Sequence, residues 1–232
     1  MKNCTIGIIG ALEEEVRELI ARLEGHETEH IGGVLFHTGM LEGKSVVIAK
    51  CGVGKVFAAL TAEAMIIRYS PELIINTGVG GALKKGISAT DILVADRLVQ
   101  HDMDTSPLGD PKGLISGINV VYFEADKRAV ALARAAADKL GIVNHTGTVA
   151  SGDVFVSKKA QKERIVSEFS ASVCEMEGAA IAHVAYVNKT AFAIIRAISD
   201  SADEGSSMDY MEFLPIAAKN GAAITLEVCK SW

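Results

Sequence analysis

"CTIGIIGALEEEVRELIARL", residues 4–23, changes character halfway along. "CTIGIIG" is a short apolar, β-branched run and reads as the first strand. From Leu12, "LEEEVRELIARL" takes up helical spacing with acids in its opening turn, and reads as the helix that follows. Outward from this unit the alternation continues. "VLFHTGML" (34–41) and "KSVVIAK" (44–50) read as neighbouring strands around the turn "EGK". A helix is expected from 56 to 69, broken at Pro71. "ELIINTG" (72–78), "DILVADRLVQ" (91–100), "GTVASGD" (147–153), "ASVCEM" (171–176) and "AFAIIRAISD" (191–200) supply the remaining strands. "DKRAVALARAAADKLG" (126–141) is a helix ended by Gly141, and a last helix is expected from near Met211 towards the carboxyl terminus. This rhythm predicts one α/β domain over 1–232, a sheet covered by helices, with no repeat and no linker. "GHETEH" (25–30) reads as a polar loop. Residues 102–117 carry two prolines and three glycines and read as a long loop of the kind often used functionally.

Composition narrows the function. A chain of 232 residues, 49% hydrophobic, can bury a full core. A formal net charge of −6 without a basic cluster argues against nucleic-acid binding and favours small-molecule substrates. The amino-terminal apolar run is short and stopped by Glu13, Glu14 and Glu15, so neither a signal peptide nor a membrane span is expected, and a cytoplasmic location is. Cys4, Cys51, Cys174 and Cys229 are widely separated and read as buried thiols. The histidines suggest no metal site. His101–Asp102 in "VQHDMD" is similar to the histidine–aspartate pair of metal phosphohydrolases, but the other ligands such a site requires are not evident.

In open α/β sheets ligands bind beyond the carboxyl ends of strands, so residues just after several strands converge. Those positions read "GALEEE", "CGVGK", "TGVGG", "SGDVF", "EMEG" and "RAISD". Glycine lets backbone approach a ligand, and carboxylates transfer protons or grip hydroxyls. Each stretch alone could be an ordinary turn, and Glu175 and Glu177 could simply favour the positive end of a helix, worth about 0.3–1 kcal/mol. Six such stretches at one edge point to an active site instead. "GVGKV" lacks the P-loop spacing and its hydroxyl residue, and "GIIGALEEE" lacks the dinucleotide fingerprint and would repel a pyrophosphate.

"IGIIGALEEEV", "NTGVGGAL", "VASGDVFV", "CEMEGAAIAHV" and "IIRAISDSADE", in this order across almost the whole chain, resemble the 5'-methylthioadenosine/S-adenosylhomocysteine nucleosidases of the purine nucleoside phosphorylase superfamily. The resemblance implies a three-layer α/β/α sandwich with a mixed central sheet, a homodimer, and cofactor-free hydrolysis of an N-glycosidic bond to adenine and a 5-thioribose product. It makes Glu15 the base for the attacking water, with Glu175 and Arg196 helping to position that water and its partners. It makes Asp200 the acid toward adenine N7, oriented by Ser199. Glu177 anchors the ribose hydroxyls, and Met176 packs beneath the sugar. Phe155 lies against the base, while backbone groups of Val156 read its edge. Leu12, Val53 and Tyr210 line the thioalkyl tail, with the 102–117 loop reaching over from a partner subunit. Many members carry serine after "NTG"; Val79 stands here, so Gly78 and backbone would have to make that contact.

Elementary chemistry supports the division of labour. Breaking the bond leaves positive charge on the sugar and negative charge on the purine, which calls for carboxylates on both sides. A general acid contributes about 10²- to 10⁴-fold, and burial raises an aspartate's pKa toward neutrality. Two other readings compete. A phosphorolytic relative would need arginines around phosphate, where Glu13, Glu14 and Glu15 stand. A non-catalytic nucleoside-binding protein would need neither Glu15 nor Asp200.

Overall fold

The computed structural model describes residues 4–200 and 206–232, with side chains of the second segment from residue 212 onward. Strand β1 (Ile6–Gly10) lies between β4 (Lys44–Lys50) and β5 (Leu73–Ala82), parallel to both. Ile6 sits opposite Val46 and Leu73, and Ile8 opposite Ile48 and Ile75. Those six side chains enter one core, while Ile9, Val47, Ala49 and Ile74 enter the other. Strands buried on both faces have no reason to alternate in polarity, which is why they appear as continuous apolar runs.

Two helical layers cover the sheet. Helices α1 (Glu13–Ala21), α3 (Lys127–Lys139) and α6 (Ser206–Ser231) pack on one side through residues such as Val16, Leu19, Ala133 and Ile224. Helices α2 (Lys55–Tyr69) and α5 (Gly178–Asn188) pack on the other through Ala58, Ala62, Met65 and Ile181. A smaller cluster joins Ile165 and Phe169 of α4 (Lys159–Phe169) to Val99 and Ala150. The fold is the expected α/β/α sandwich.

Among the described residues the sheet is 10-stranded and mixed. Besides those named, it contains β2 (Glu24–Ile31), β3 (Val34–Leu41), β6 (Ile92–Gln100), the short β7 (Phe123–Glu124), β8 (Asn144–Ser151), β9 (Val173–Glu175) and β10 (Ala191–Asp200). β10 pairs in parallel with β5 and antiparallel with β6, so the order β5-β9-β8-β6-β10 returns to β5 and closes a ring. Closure brings the ends of β5, β8, β9 and β10 close to the turn after β1.

Two departures from the sequence reading are informative. "GHETEH" belongs to β2, an edge strand paired antiparallel to β3, and not to a loop. Its residues are mostly exposed, so no apolar face marks it, and its glutamates suit an edge that must not recruit another strand. Helix α4 had no sequence counterpart because it buries only Ile165 and Phe169 fully. The 102–117 segment is largely irregular, with a single 3₁₀ turn at Ser106–Leu108. The four cysteines are buried free thiols, and no helix among the described residues is long and apolar enough to cross a membrane.

Candidate active site

All six post-strand stretches meet around one cavity of about 390 Å³. Its wall takes Ala11, Leu12 and Glu15 from the start of α1 and Val53 from the turn after β4. The end of β5 adds Val79, Gly80 and Gly81, and the loop after β8 adds Val154, Phe155 and Val156. Cys174 to Glu177 join from β9, and Ser199 and Asp200 from β10. Four carboxylates, Glu15, Glu175, Glu177 and Asp200, are thereby gathered in one largely apolar chamber, each of them buried.

Glu15 reaches back from the first turn of α1. Its Oε2 accepts the N–H groups of Ala11 at 2.6 Å and Leu12 at 2.9 Å, and its Oε1 accepts Val79 N–H at 3.1 Å. Gly78 makes this approach possible, because a Cβ there would lie 2.9 Å from Oε1. Burial pushes the Glu15 pKa up, opposed by these N–H groups and by Arg196. The side chain is therefore a fixed carboxylate with heightened proton affinity, the property a general base needs. Val79 in place of serine costs no contact to Glu15, since the backbone supplies it.

Glu175 and Glu177 stand two residues apart in opposite conditions. Glu175 closes β9 and is fully enclosed. Its Oε2 accepts Arg196 Nε at 3.2 Å, Glu177 N–H at 3.0 Å and Gly178 N–H at 2.7 Å. Arg196 Nη2 donates to the same oxygen, and Ser151 Oγ donates to Oε1. Burial opposes ionisation, but Arg196, Ser151 and the N–H groups outweigh it and hold the pKa below the usual carboxylate value. Glu177 precedes α5 and accepts Gly54 N–H at 2.8 Å on Oε1. Burial first, and then the charge of Glu175, push its pKa up. One acid is a permanent anion; the other is poised.

At the far wall Ser199 Oγ donates to Asp200 Oδ2 at 2.8 Å, an orienting contact made inside β10. Arg196, 1% exposed, does not line the cavity. It lies behind Glu175, and its remaining N–H groups go to the carbonyls of Asn76 and Ile195 and to the Asn76 side chain. Any influence on a water in the cavity therefore passes through its partner Glu175, which it holds. Gly78 also lies outside the lining and acts by yielding space. Leu12, Met176 and Val156 face the cavity, while Phe155 and Val53 stand at its mouth, 45% and 50% exposed. The Tyr210 side chain lies outside the described residues.

Three participants escaped the sequence reading. Ser151 donates to Glu175 and accepts Ala179 N–H at 2.7 Å. Asn76 takes Arg196 and ties it to Ile9 O at 2.9 Å. Gly54 N–H holds Glu177. Each lies in or beside a stretch already singled out, so position after a strand was the signal that could have found them. Among the described cavity-lining residues there is no lysine or arginine.

Residues 5–230 match the family model of the Phosphorylase superfamily. An aminodeoxyfutalosine nucleosidase of Helicobacter pylori is 39% identical over 219 residues, 94% of either chain. A 5'-methylthioadenosine/S-adenosylhomocysteine nucleosidase of Oceanobacillus iheyensis is 36% identical, covering 97% of this chain and 99% of its own. The solved nucleosidase of that name from Neisseria meningitidis, in complex with methylthio-immucillin-A, superposes with a TM-score of 0.95 at 34% identity, covering 98% of this chain and 99% of its own.

Proposed function

The chain belongs to the phosphorylase superfamily, and from that premise we propose that it hydrolyses the N-glycosidic bond of 5'-methylthioadenosine and S-adenosylhomocysteine, releasing adenine and a 5-thioribose product. The observation that carries hydrolysis over phosphorolysis is the charge of the chamber. Four carboxylates surround it, no cation among the described residues lines it, and Arg196 is already committed to Glu175. A phosphate dianion would meet four carboxylates and no lysine or arginine among the described lining residues, whereas water would meet a base.

Asp200 donates a proton toward purine N7 as the glycosidic electron pair leaves with the base. Glu177 grips the ribose hydroxyls while positive charge grows on the sugar, and Met176 packs against the ring. Glu15 takes a proton from water, whose oxygen attacks the anomeric carbon. Glu175, fixed by Arg196 and Ser151, supplies a constant negative field. Phe155 stacks on adenine, Val156 backbone reads its edge, and Leu12, Val53 and Tyr210 receive the 5' substituent. The reaction serves methionine salvage and the recycling of S-adenosylmethionine by-products in the cytoplasm, a reducing compartment that suits four free thiols.

The relative named for aminodeoxyfutalosine, at 39% identity, extends the reading to futalosine-type nucleosides. Base and sugar contacts stay the same, and only the tail at the half-exposed mouth changes. The protein acts as a homodimer whose 102–117 loop closes the neighbour's mouth. Support comes from the apolar outer face of α2, where Val56, Phe57, Leu60 and Ile67 are more than half exposed, and from Leu108 in that loop, 83% exposed.

Adenine release from methylthioadenosine, S-adenosylhomocysteine and aminodeoxyfutalosine, with and without phosphate, at concentrations spanning the dimer equilibrium, tests the proposal. The expected rate is indifferent to phosphate and falls on dilution to monomer. A strict phosphate requirement with a ribose phosphate product would overturn hydrolysis, and a fully active monomer would overturn the shared mouth.

A further inference from the structure

His101 and Asp102, the pair that is similar to a metal-binding motif, take no part in the chemistry above. Among the described residues no group of three His, Cys, Asp or Glu side chains is arranged to hold a metal ion. Their surroundings assign them other work. Lys55 Nζ, in the first turn of α2, donates to Asp102 Oδ1 at 2.7 Å and to Gln100 Oε1 at 3.2 Å. The other oxygen of Asp102 accepts the N–H of Asp153 at 3.0 Å, and Asp153 Oδ1 accepts the N–H of Lys55 at 2.8 Å. The circuit therefore closes on itself. One residue before Lys55, Gly54 N–H holds Glu177; one residue after Asp153 begins the run of Val154, Phe155 and Val156 that lines the cavity.

Close packing reinforces the polar circuit. Gly54 has φ +100°, and a Cβ there would stand 3.0 Å from Asp153 Oδ1. The buried ring of His101 fills the space a Gly152 side chain would need, and His101 N–H donates to Ser151 O at 3.0 Å. Burial, more than any charge, holds the His101 pKa below the usual histidine value, so a neutral ring packs beneath the loop. The Lys55 and Asp102 side chains are 18% and 25% exposed, so solvent screens this ion pair less than an ordinary surface pair.

We propose that Lys55, His101 and Asp102 form a clamp that fixes the base-binding loop at Asp153–Val156 relative to the ribose carboxylate Glu177, so that purine and sugar are presented to the catalytic groups in one register. They are positioning residues and touch no reacting atom. The clamp also starts the 102–117 loop, so the piece that closes the mouth and the piece that holds the base share one anchor. The inference rests on the nucleosidase reading of the cavity, which the assay of adenine release by the unaltered protein tests separately.

The test compares Lys55→Met, Asp102→Asn and Lys55→Arg with the unaltered enzyme, measuring kcat, KM, Tm, and calorimetric affinity for adenine and for 5-methylthioribose. A misplaced loop should weaken adenine binding and raise KM about 10-fold in the first two variants, with methylthioribose affinity held within about twofold. The conservative Lys55→Arg should recover most of the adenine affinity. Unchanged adenine affinity, or parallel loss of adenine and methylthioribose binding, would overturn the clamp. Should Lys55→Met fail to fold, the near-isosteric Asp102→Asn decides on the same readouts. Failure of both to fold would make the circuit a folding element and overturn it as a positioning device.

Discussion

The floor and the mouth of the cavity are built on opposite principles. At the floor, Glu15, Glu175, Arg196 and Asn76 are at most 8% exposed, and their polar atoms bind one another, Ser151 or backbone. At the mouth, Val53 and Phe155 are about half exposed, and Leu12 is only partly covered. Charge must be held rigidly where charge develops in the reaction, because buried dipoles then need no reorganisation. Apolar surface can wait for a ligand or a second chain to cover it. The floor is enclosed by residues of this chain, whereas the mouth stays half exposed. Substitutions at the floor should therefore change turnover or stability, and those at the mouth should change affinity.

The largest expected effect is at Asp200. Asp200→Asn keeps volume and the Ser199 contact but cannot deliver a proton, so kcat should fall about 10²- to 10⁴-fold while directly measured substrate affinity changes little. Single-turnover adenine release separates chemistry from product release. Near-normal turnover would return Asp200 to a structural residue at the end of β10.

Arg196 comes next, in stability. Arg196→Met leaves Glu175 as a buried anion without its ion-pair partner, a loss worth about 3–5 kcal/mol. Adding Glu175→Gln removes the stranded charge, so the double variant should regain much of that loss in urea unfolding. If the two substitutions merely add, the pair is not coupled as its geometry indicates.

At Glu177 the effect is smaller and depends on pH. The folded protein raises its pKa from 4.5 to about 7, through burial first and the neighbouring Glu175 charge second. The folded state thus binds this proton more tightly than the unfolded chain does. Its stabilising contribution is complete below the unfolded value and is lost as pH rises through the folded one. Glu177→Gln should therefore be near neutral for stability at about pH 5 and stabilising by about 1–3 kcal/mol at about pH 8, while impairing turnover at both. Unfolding at the two pH values checks it, and an equal difference at both would mean that Glu177 carries no burial penalty.

What could be read in the sequence follows the same division. The stretches that hold Glu15, Glu177 and Asp200 were legible because acids directly after strands have few reasons to sit in apolar surroundings except chemistry, and the family resemblance singled out these three among them. Ser151 and Asn76 were not, because they act through Glu175 and Arg196, and partners 24 and 120 residues apart leave no local pattern. Arg196 reads as helping to position the water and its partners, but its place in β10 does not reveal that Glu175 stands between it and the cavity. Strand β2 was missed because an exposed edge strand lacks the alternation that betrays a half-buried one. His101–Asp102 is similar to a ligand pair, without the further ligands of a metal site, because the pairing of residue types is common to metal sites and to hydrogen-bonded contacts. Only their neighbours distinguish the two.

The smallest effect should be at the mouth, with Phe155→Ala. The side chain lines the cavity and is 45% exposed, so truncation opens no sealed core void and the usual penalty for a buried phenylalanine does not apply. If Phe155 stacks on the purine as proposed, the loss is about 0.5–1.5 kcal/mol by analogy with aromatic pairs, which corresponds to a rise in Kd of about 2- to 12-fold. Because the floor is untouched, kcat should stay within about twofold, and stability within about 0.5 kcal/mol. Measuring Kd alongside kcat and urea unfolding makes the comparison decisive. A drop in kcat as deep as that of Asp200→Asn would mean that the aromatic ring shapes the reacting geometry itself. A loss of several kcal/mol in stability would mean that Phe155 belongs to the core. In either case floor and mouth would form one cooperative unit.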